Sequence, residues 1–377
     1  MSTIAIVTVA GGGNVPPTLR IADELVRRGH HVEVLGQRRQ ADRIAAAGHA
    51  FRPLESLDFW DRSVRQSVPA AVRDAARLAA DRGVEREVRS AVADADAALV
   101  DCLMPSSARG ALAAGVPVAL LFHTFLEYWE RGFRRGPVGL AARIRGTDAL
   151  SVWRDADARL VASDPESDPA AARRSGLARA AEWVGPLETG EPTAADPSAP
   201  PLIVVSLSTT WFPGQTDVYQ RIADALAALP VRGVLTLGGL RLDRELRVPG
   251  NVTVLERADH DDLLRRASLV IGHGGHSTTF RALAHDVPLV LVPMHPLLDQ
   301  PMIARSVEAA GAGRMLPRTS SSARFAAAVA DVLADERART AAARLGGRIR
   351  STDAAGSAAD ALERVARDRS RGSARLA

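Results

Sequence analysis

Along most of the chain, short apolar runs rich in β-branched residues alternate with longer stretches whose apolar residues recur every three or four positions. The first kind reads as buried strand and the second as amphipathic helix. The pattern predicts strands at Thr3–Val9, Val32–Leu35, Ala97–Asp101, Val118–Leu121 and Arg159–Ala162, with helices between them. A second series follows in "LIVVSL", "GVLTLGG", "VTVLE", "SLVIG" and "VPLVLVP". Strands joined by helical crossovers run parallel, so the fold class expected is α/β with two doubly wound, Rossmann-like sheets. Between the two series lies "PLETGEPTAADPSAPP", rich in proline and small polar residues and without apolar periodicity, which reads as a linker. The predicted organisation is a domain at 1–186, a linker at 187–200, a domain at 201–353 and a C-terminal helix at 354–377 able to pack back toward the N-terminal domain. Open α/β sheets gather ligands at the carboxyl ends of their strands, which places the expected active site between the domains.

Composition narrows the chemistry. The 377 residues are 46% hydrophobic and 24% charged, with material for two cores and no signature of disorder. All 48 basic side chains are arginines, which explains the pI of about 10.2 at a net charge of only +4. These arginines are dispersed along helices such as "RIADELVRRG", so they read as solvated faces and no nucleic-acid partner is expected. The absence of lysine excludes Schiff-base catalysis and a Walker-A phosphate site. A lone cysteine, Cys102, excludes an internal disulfide and a cysteine-rich metal centre. No apolar run approaches the roughly 18–20 residues of a membrane span. The N-terminus has no basic n-region, so a cytoplasmic protein is expected.

The chemistry is concentrated in "LVIGHGGHSTTFRALAHDVPLVLVPMHPLLDQPMIARSVEAAGAG", residues 269–313. A strand runs into Gly272, His273, Gly274 and Gly275, and a helix opens at Ser277 and Thr278. Glycines let the backbone approach an anion, and a helix N-terminus offers free N–H groups and a positive dipole end. The turn reads as a pyrophosphate cradle with His273 at its mouth. Tight packing alone explains many glycine turns, but here the next strand also ends in a polar pair, Asp299 and Gln300.

These motifs, with "WVGPLE", "VVSLSTT" and "NVTVLERADHDDLL", resemble the donor-binding signature of the GT-B nucleotide-sugar glycosyltransferases. The resemblance is to the bacterial natural-product branch that tailors macrolides, anthracyclines and enediynes, and it covers nearly the whole chain. It implies that His273 binds the donor diphosphate with Gly275, Ser277 and Thr278, and that Asp299 and Gln300 hold the sugar hydroxyls. Ser208 and Thr209 would approach the phosphate and sugar, and Arg257 and Ala258 would lie in the base-binding loop. The ribose-binding carboxylate of the family falls at Arg281, which cannot accept a hydrogen bond from a 2′-hydroxyl, and this favours TDP over UDP. The resemblance implies no cofactor and no metal: the two "DADA" copies, at Asp94–Ala97 and Asp155–Ala158, precede strands and read as turn carboxylates.

The N-terminal turn departs from the family. Its GHxxP motif aligns on "GNVPP", which places Asn14 at the catalytic histidine and Pro17 at the proline, with Asp101 near the partner aspartate. An amide is no base at neutral pH, so Asn14 can only orient the acceptor or Asp101, or simply occupy an awkward turn conformation. Asp101 is read first as the proton acceptor and His123 second, with an acceptor that needs little help as the third explanation. A dehydrogenase reading fails because Pro16 stands where a GxGxxG fingerprint needs glycine. "FHTFLEYWERGF", residues 122–133, concentrates aromatics and reads as either an apolar acceptor pocket or an aromatic core.

The expected function is an inverting, metal-independent glycosyltransferase that moves a deoxysugar from a TDP- or UDP-sugar to a hydrophobic natural-product acceptor. The alternative is a catalytically silent relative that activates another transferase. Partners are the donor and acceptor small molecules, and the sequence is compatible with a homodimer.

Overall fold

The computed structural model describes residues 1–61, 64–173, 176–196 and 198–374. The chain divides into two compact units, one of Met1–Leu187 with Asp353–Ala377 and one of Glu188–Thr352. The last three residues of the expected C-terminal helix lie outside the described residues.

The first unit is built on seven parallel strands: β1 (Thr3–Val7), β2 (His31–Gly36), β3 (Ala50–Pro53), β4 (Ala97–Asp101), β5 (Val118–Phe122), β6 (Ala158–Val161) and β7 (Glu182–Trp183). Their order in the sheet is β3-β2-β1-β4-β5-β6-β7. Successive side chains of a strand face opposite ways, and both faces are covered here. Ile4, Ile6, Leu99 and Leu121 enter one core, while Ala5, Val7, Val100 and Leu120 enter the other. The first of these cores is closed by the helix Val15–Arg27 and by the C-terminal helix Ala354–Ala374. That C-terminal helix presents Ala358, Ala359, Ala361 and Leu362, small enough for close approach to the sheet. Arg28 anchors it by donating to Asp360 at 2.5 Å and Glu363 at 3.1 Å.

The second unit has six parallel strands: β8 (Leu202–Ser206), β9 (Arg232–Thr236), β10 (Val252–Leu255), β11 (Leu269–Gly272), β12 (Leu289–Leu291) and β13 (Gly313–Met315), ordered β10-β9-β8-β11-β12-β13. The proline-rich stretch expected as a linker lies against this unit, with Thr193 N–H donating to His285 O at 2.9 Å and Ala194 N–H to Arg265 O at 2.8 Å.

In both sheets strand order reverses beside the first strand, between β1 and β4 and between β8 and β11. At such a switch point the connections leave in opposite directions and open a crevice at the strand ends. Asn14 and Asp101 follow one switch point, and Ser208 and His273 follow the other.

Candidate active site

In the second unit, β11 ends at Gly272 and the helix His276–Ala284 begins after Gly275. Gly274 adopts φ +81°, a left-handed conformation that glycine takes without steric cost, and a Cβ there would meet the Gln300 carbonyl at 2.8 Å. No side chain caps the helix, so its first-turn N–H groups are not taken by a cap. His273 is buried at the mouth of this turn with Nδ1 3.5 Å from Ser206 O. Burial pushes its pKa down to about 4, which makes the ring neutral at pH 7. A Cβ on Gly275 would lie 2.3 Å from His273 Nε2, so this glycine makes room for the imidazole.

The remaining residues expected to bind the donor lie on neighbouring loops and helix starts. Ser208, just past β8, holds φ +111°, a strained value for a residue with a side chain, and its Oγ accepts from Thr210 N at 2.9 Å. Thr209 packs against Gly238, where a Cβ would come within 2.9 Å of its methyl carbon. The Arg257 guanidinium covers Gly239 in the same way, and Ala258 follows it half-buried. Burial, and then the Arg281 guanidinium, hold His260 below the usual imidazole range. Ser277 and Thr278 are half-buried in the first turn of the helix, and Asp299 precedes the helix Gln300–Ala309. Gln300 is buried and its Oε1 accepts from Met294 N at 2.8 Å and His295 N at 3.0 Å. Its carbonyl is therefore committed to the loop after β12, and only its amide nitrogen retains free hydrogen-bonding capacity among the described residues.

In the first unit, Asn14, Asp101 and His123 meet although they come from three different strand ends. Asn14 donates from Nδ2 to Asp101 Oδ2 at 2.6 Å and to Val9 O at 2.7 Å, and its Oδ1 accepts from Gly11 N at 3.0 Å. Its backbone is right-handed, φ −82° and ψ −24°, so the awkward-turn explanation fails; Gly12 carries the unusual φ of +120°. Asp101 is 2% exposed, and its Oδ1 accepts from Leu103 N at 2.9 Å. His123 Nδ1 stands 3.5 Å from that same oxygen, and the ring meets Trp129 edge to face at 5.4 Å between centroids.

Most of the aromatic stretch 122–133 is core rather than pocket. Phe122, Phe125 and Phe133 are buried, and Phe122 and Phe133 both pack edge-on against Trp153, at 5.1 and 4.9 Å. An aromatic side chain buries a large apolar area, which is its first use here. The helix Leu126–Arg135 that carries Trp129 is fixed by Asp168, whose carboxylate accepts from Leu126 N at 2.7 Å and Glu127 N at 3.3 Å. Gln37 steadies the N-terminal turn by accepting from Ala10 N at 3.0 Å. Neither residue carries a motif, and only the folded chain brings them to the site.

The "DADA" carboxylates tie strand starts together: Asp96 accepts from Thr3 N and Asp157 from Val118 N, each at 2.8 Å. The group with metal-ligand chemistry among the described residues is Asp101, Cys102 and His123, with ligand atoms within 4.8 Å of one another. It fits a cation poorly. Both Asp101 oxygens already accept hydrogen bonds, and burial beside the Asp101 charge pushes the Cys102 thiol far up, away from the thiolate a metal requires. No helix among the described residues is long and apolar enough to cross a membrane.

Comparison with known proteins agrees with this geometry. Residues 220–363 match the erythromycin biosynthesis protein CIII-like C-terminal domain. The demethyllactenocin mycarosyltransferase of Streptomyces fradiae is 27% identical over 408 residues, covering 96% of this chain and 86% of that protein. A PGL/p-HBAD biosynthesis rhamnosyltransferase of Mycobacterium bovis is 33% identical over 208 residues; the match covers 53% of this chain and less than half, 44%, of that relative. The solved glycosyltransferase of kitacinnamycin shares the fold at a TM-score of 0.77 and 24% identity, covering 97% of this chain and 99% of its own. The spinosyn rhamnosyltransferase SpnG, complexed with thymidine diphosphate, shares it at 0.69 and 20% identity, covering 96% and 100%. Two doubly wound sheets with a glycine turn after β11 and this set of relatives converge: the chain is a glycosyltransferase of GT-B fold, similar to enzymes of natural-product biosynthesis, and its residues 220–363 resemble the erythromycin CIII-like C-terminal domain.

Proposed function

We propose that the protein transfers a deoxysugar, with inversion, from a TDP-sugar to a hydroxyl of a hydrophobic acceptor, and that it uses no metal or cofactor. The observation that carries the donor half is the cradle at 272–278. Its uncapped helix N-terminus, left-handed Gly274 and buried His273 offer N–H groups and dipole to a diphosphate without any cation. A leaving diphosphate gains negative charge as the glycosidic bond to phosphate breaks, and fixed donors aimed at it favour the transition state over the ground state. His273 would serve that oxygen, with Ser277 and Thr278 beside it, while Asp299 and the Gln300 amide nitrogen would hold sugar hydroxyls. Arg257 would stack its guanidinium plane on the base. Arg281, at the place of the family's ribose carboxylate, supports TDP, as does the thymidine diphosphate held by a relative of the same fold.

The test is ligand-linked stability. A ligand that binds only the folded state raises its stability by mass action, about 2.7 kcal/mol at a hundredfold excess over Kd. TDP is expected to raise the Tm, with UDP weaker, and His273→Ala to abolish most of the increase. A Tm unmoved by either nucleotide at millimolar concentration contradicts the donor assignment.

A further inference from the structure

We infer that the proton acceptor of the transfer is His123, oriented by Asp101, and that the catalytic dyad has thus moved from the turn after β1 to the turn after β5. The inference rests on the glycosyl-transfer reading above and names the group that activates the acceptor.

Three observations lead there. Asn14 is fully engaged: both Nδ2 hydrogens are donated, one to Asp101 Oδ2 and one to Val9 O, and Oδ1 accepts from Gly11 N. It has no proton-accepting nitrogen and no free hydrogen to offer an acceptor hydroxyl. Asp101 is enclosed, its side chain 1% exposed, with Oδ2 held by Asn14 and Oδ1 by Leu103 N–H. With both oxygens enclosed and already accepting from donors, this carboxylate offers little to an external hydroxyl. It is well suited to orient a neighbour.

That neighbour is His123. Its side chain is 14% exposed and makes no hydrogen bond among the described residues, and its Nδ1 is enclosed 3.5 Å from Asp101 Oδ1. A carboxylate facing Nδ1 favours the tautomer with the proton there, leaving the Nε2 lone pair as the basic site. The exposed part of the ring lies away from Nδ1, and Trp129 braces it edge-on. Asp101 and Cys102 both lie beside the ring, and burial beside the Asp101 charge pushes the Cys102 thiol far up, so it stays neutral. Of this pair Asp101 carries the charge, which stabilises the imidazolium formed during transfer.

In the step itself, the acceptor hydroxyl gives its proton to His123 Nε2 while its oxygen attacks the anomeric carbon. The bond from that carbon to the phosphate oxygen breaks, the electron pair leaves with the nucleoside diphosphate, and the imidazolium later releases its proton to water. Asp101 stays ionised throughout, and Asn14 holds it in place as a second positioning residue.

The inference is tested in two ways. In the absence of ligand, ¹⁵N NMR of the full chain is expected to show His123 with its proton on Nδ1 and a titration midpoint that falls when Asp101→Asn removes the charge. A proton on Nε2, or a midpoint indifferent to Asp101→Asn, overturns the dyad. Turnover is then followed as TDP release from a TDP-6-deoxyhexose, TDP-rhamnose, with two phenols. With weakly acidic 4-methylphenol, His123→Gln is expected to lower kcat by at least about 100-fold and to remove the acid limb of the pH profile, leaving KM for the donor unchanged. With 2,4-dinitrophenol, already ionised, the loss shrinks to a few fold. Asp101→Asn with His123→Gln is expected to be little worse than His123→Gln alone. Full turnover and an intact acid limb in His123→Gln, with loss only in Asp101→Asn, would make Asp101 the base. If TDP fails to raise the Tm of the wild type, it is the donor reading that has failed; the NMR result stands apart from it.

Discussion

The two units present their candidate residues by opposite means. In the second unit the candidate groups belong largely to one contiguous turn, and much of it is backbone: Gly274 at φ +81°, Gly275 clearing space for His273, and an uncapped helix end. In the first unit the same position at the sheet's switch point is filled by side chains from three strand ends, with Asn14 and Asp101 separated by 87 residues. A diphosphate is the same anion on every donor, so a rigid backbone cradle suits it. Acceptors differ in shape and acidity, and a side-chain cluster can change one member at a time. Position 14 carries no imidazole, and under the proposed mechanism His123, 3.5 Å from Asp101, supplies one.

The comparison is broken or sharpened by four experiments. The largest effect is expected from the pH dependence of the donor unit. His273 has its folded pKa depressed to about 4, against about 6.5 unfolded, so the folded state resists its protonation. Its contribution is fully present above pH 6.5 and is lost as pH falls toward 4, about 3 kcal/mol in all. Urea unfolding across this window should show that loss in the wild type and not in His273→Gln; parallel profiles would mean the ring is not held neutral. Binding of a diphosphate to a ring whose Nδ1 already faces a carbonyl should also draw a proton onto His273, visible as buffer-dependent heat in calorimetry.

Gly275→Ala should follow. Residue 275 has an ordinary extended backbone, φ −69° and ψ 141°, so alanine adds no backbone strain; its Cβ would instead meet His273 Nε2 at 2.3 Å. TDP affinity is expected to fall about 100-fold, or about 2.7 kcal/mol, with the fold intact by circular dichroism. Retained affinity would show that the cradle tolerates a displaced imidazole.

Asn14→Ala should cost about 2 kcal/mol, because it removes a buried hydrogen bond to a charged group, while the Gly11 N–H still donates to Val9 O. The loss should appear in calorimetry without TDP, while TDP affinity stays at the wild-type value. A variant as stable as the wild type would mean that Asp101 finds another donor. The smallest effect belongs to Asp299→Ala: about tenfold weaker binding of TDP-rhamnose, about 1.4 kcal/mol, with TDP itself unaffected. Equal weakening of both would move Asp299 from the sugar to the nucleotide.

The contrast between the halves also decides what was legible from the sequence. Both doubly wound sheets follow from the alternation of β-branched runs with helical stretches, since strands buried on both faces read as continuous apolar segments. Three strands escaped it. β3 is an exposed four-residue edge containing Pro53, β7 has two residues, and β13 is "GRM", so none carries enough apolar sequence to signal a strand. The glycine turn into the helix was legible because glycine and helix-start chemistry are local. Gln300 shows the limit: the sequence marked it as a sugar ligand, but its Oε1 is used by Met294 and His295 N–H, an arrangement that depends on how the loop folds. The aromatics of 122–133 could not be divided between core and pocket, because Trp153, which decides the matter for Phe122 and Phe133, lies on another helix. Asp168, which fixes the start of the Trp129 helix from a loop about 40 residues later, left no local trace at all.

The central claim is that the two units divide the work, with the donor nucleotide held by the glycine turn of one and the acceptor activated by the side-chain cluster of the other. Titration calorimetry of TDP against the wild type, His273→Ala and Asp101→Asn tests it most directly. The expected result is affinity lost by at least tenfold in His273→Ala and unchanged in Asp101→Asn, whose sugar transfer is nevertheless abolished. Equal weakening in both variants, or loss only in Asp101→Asn, would contradict the division.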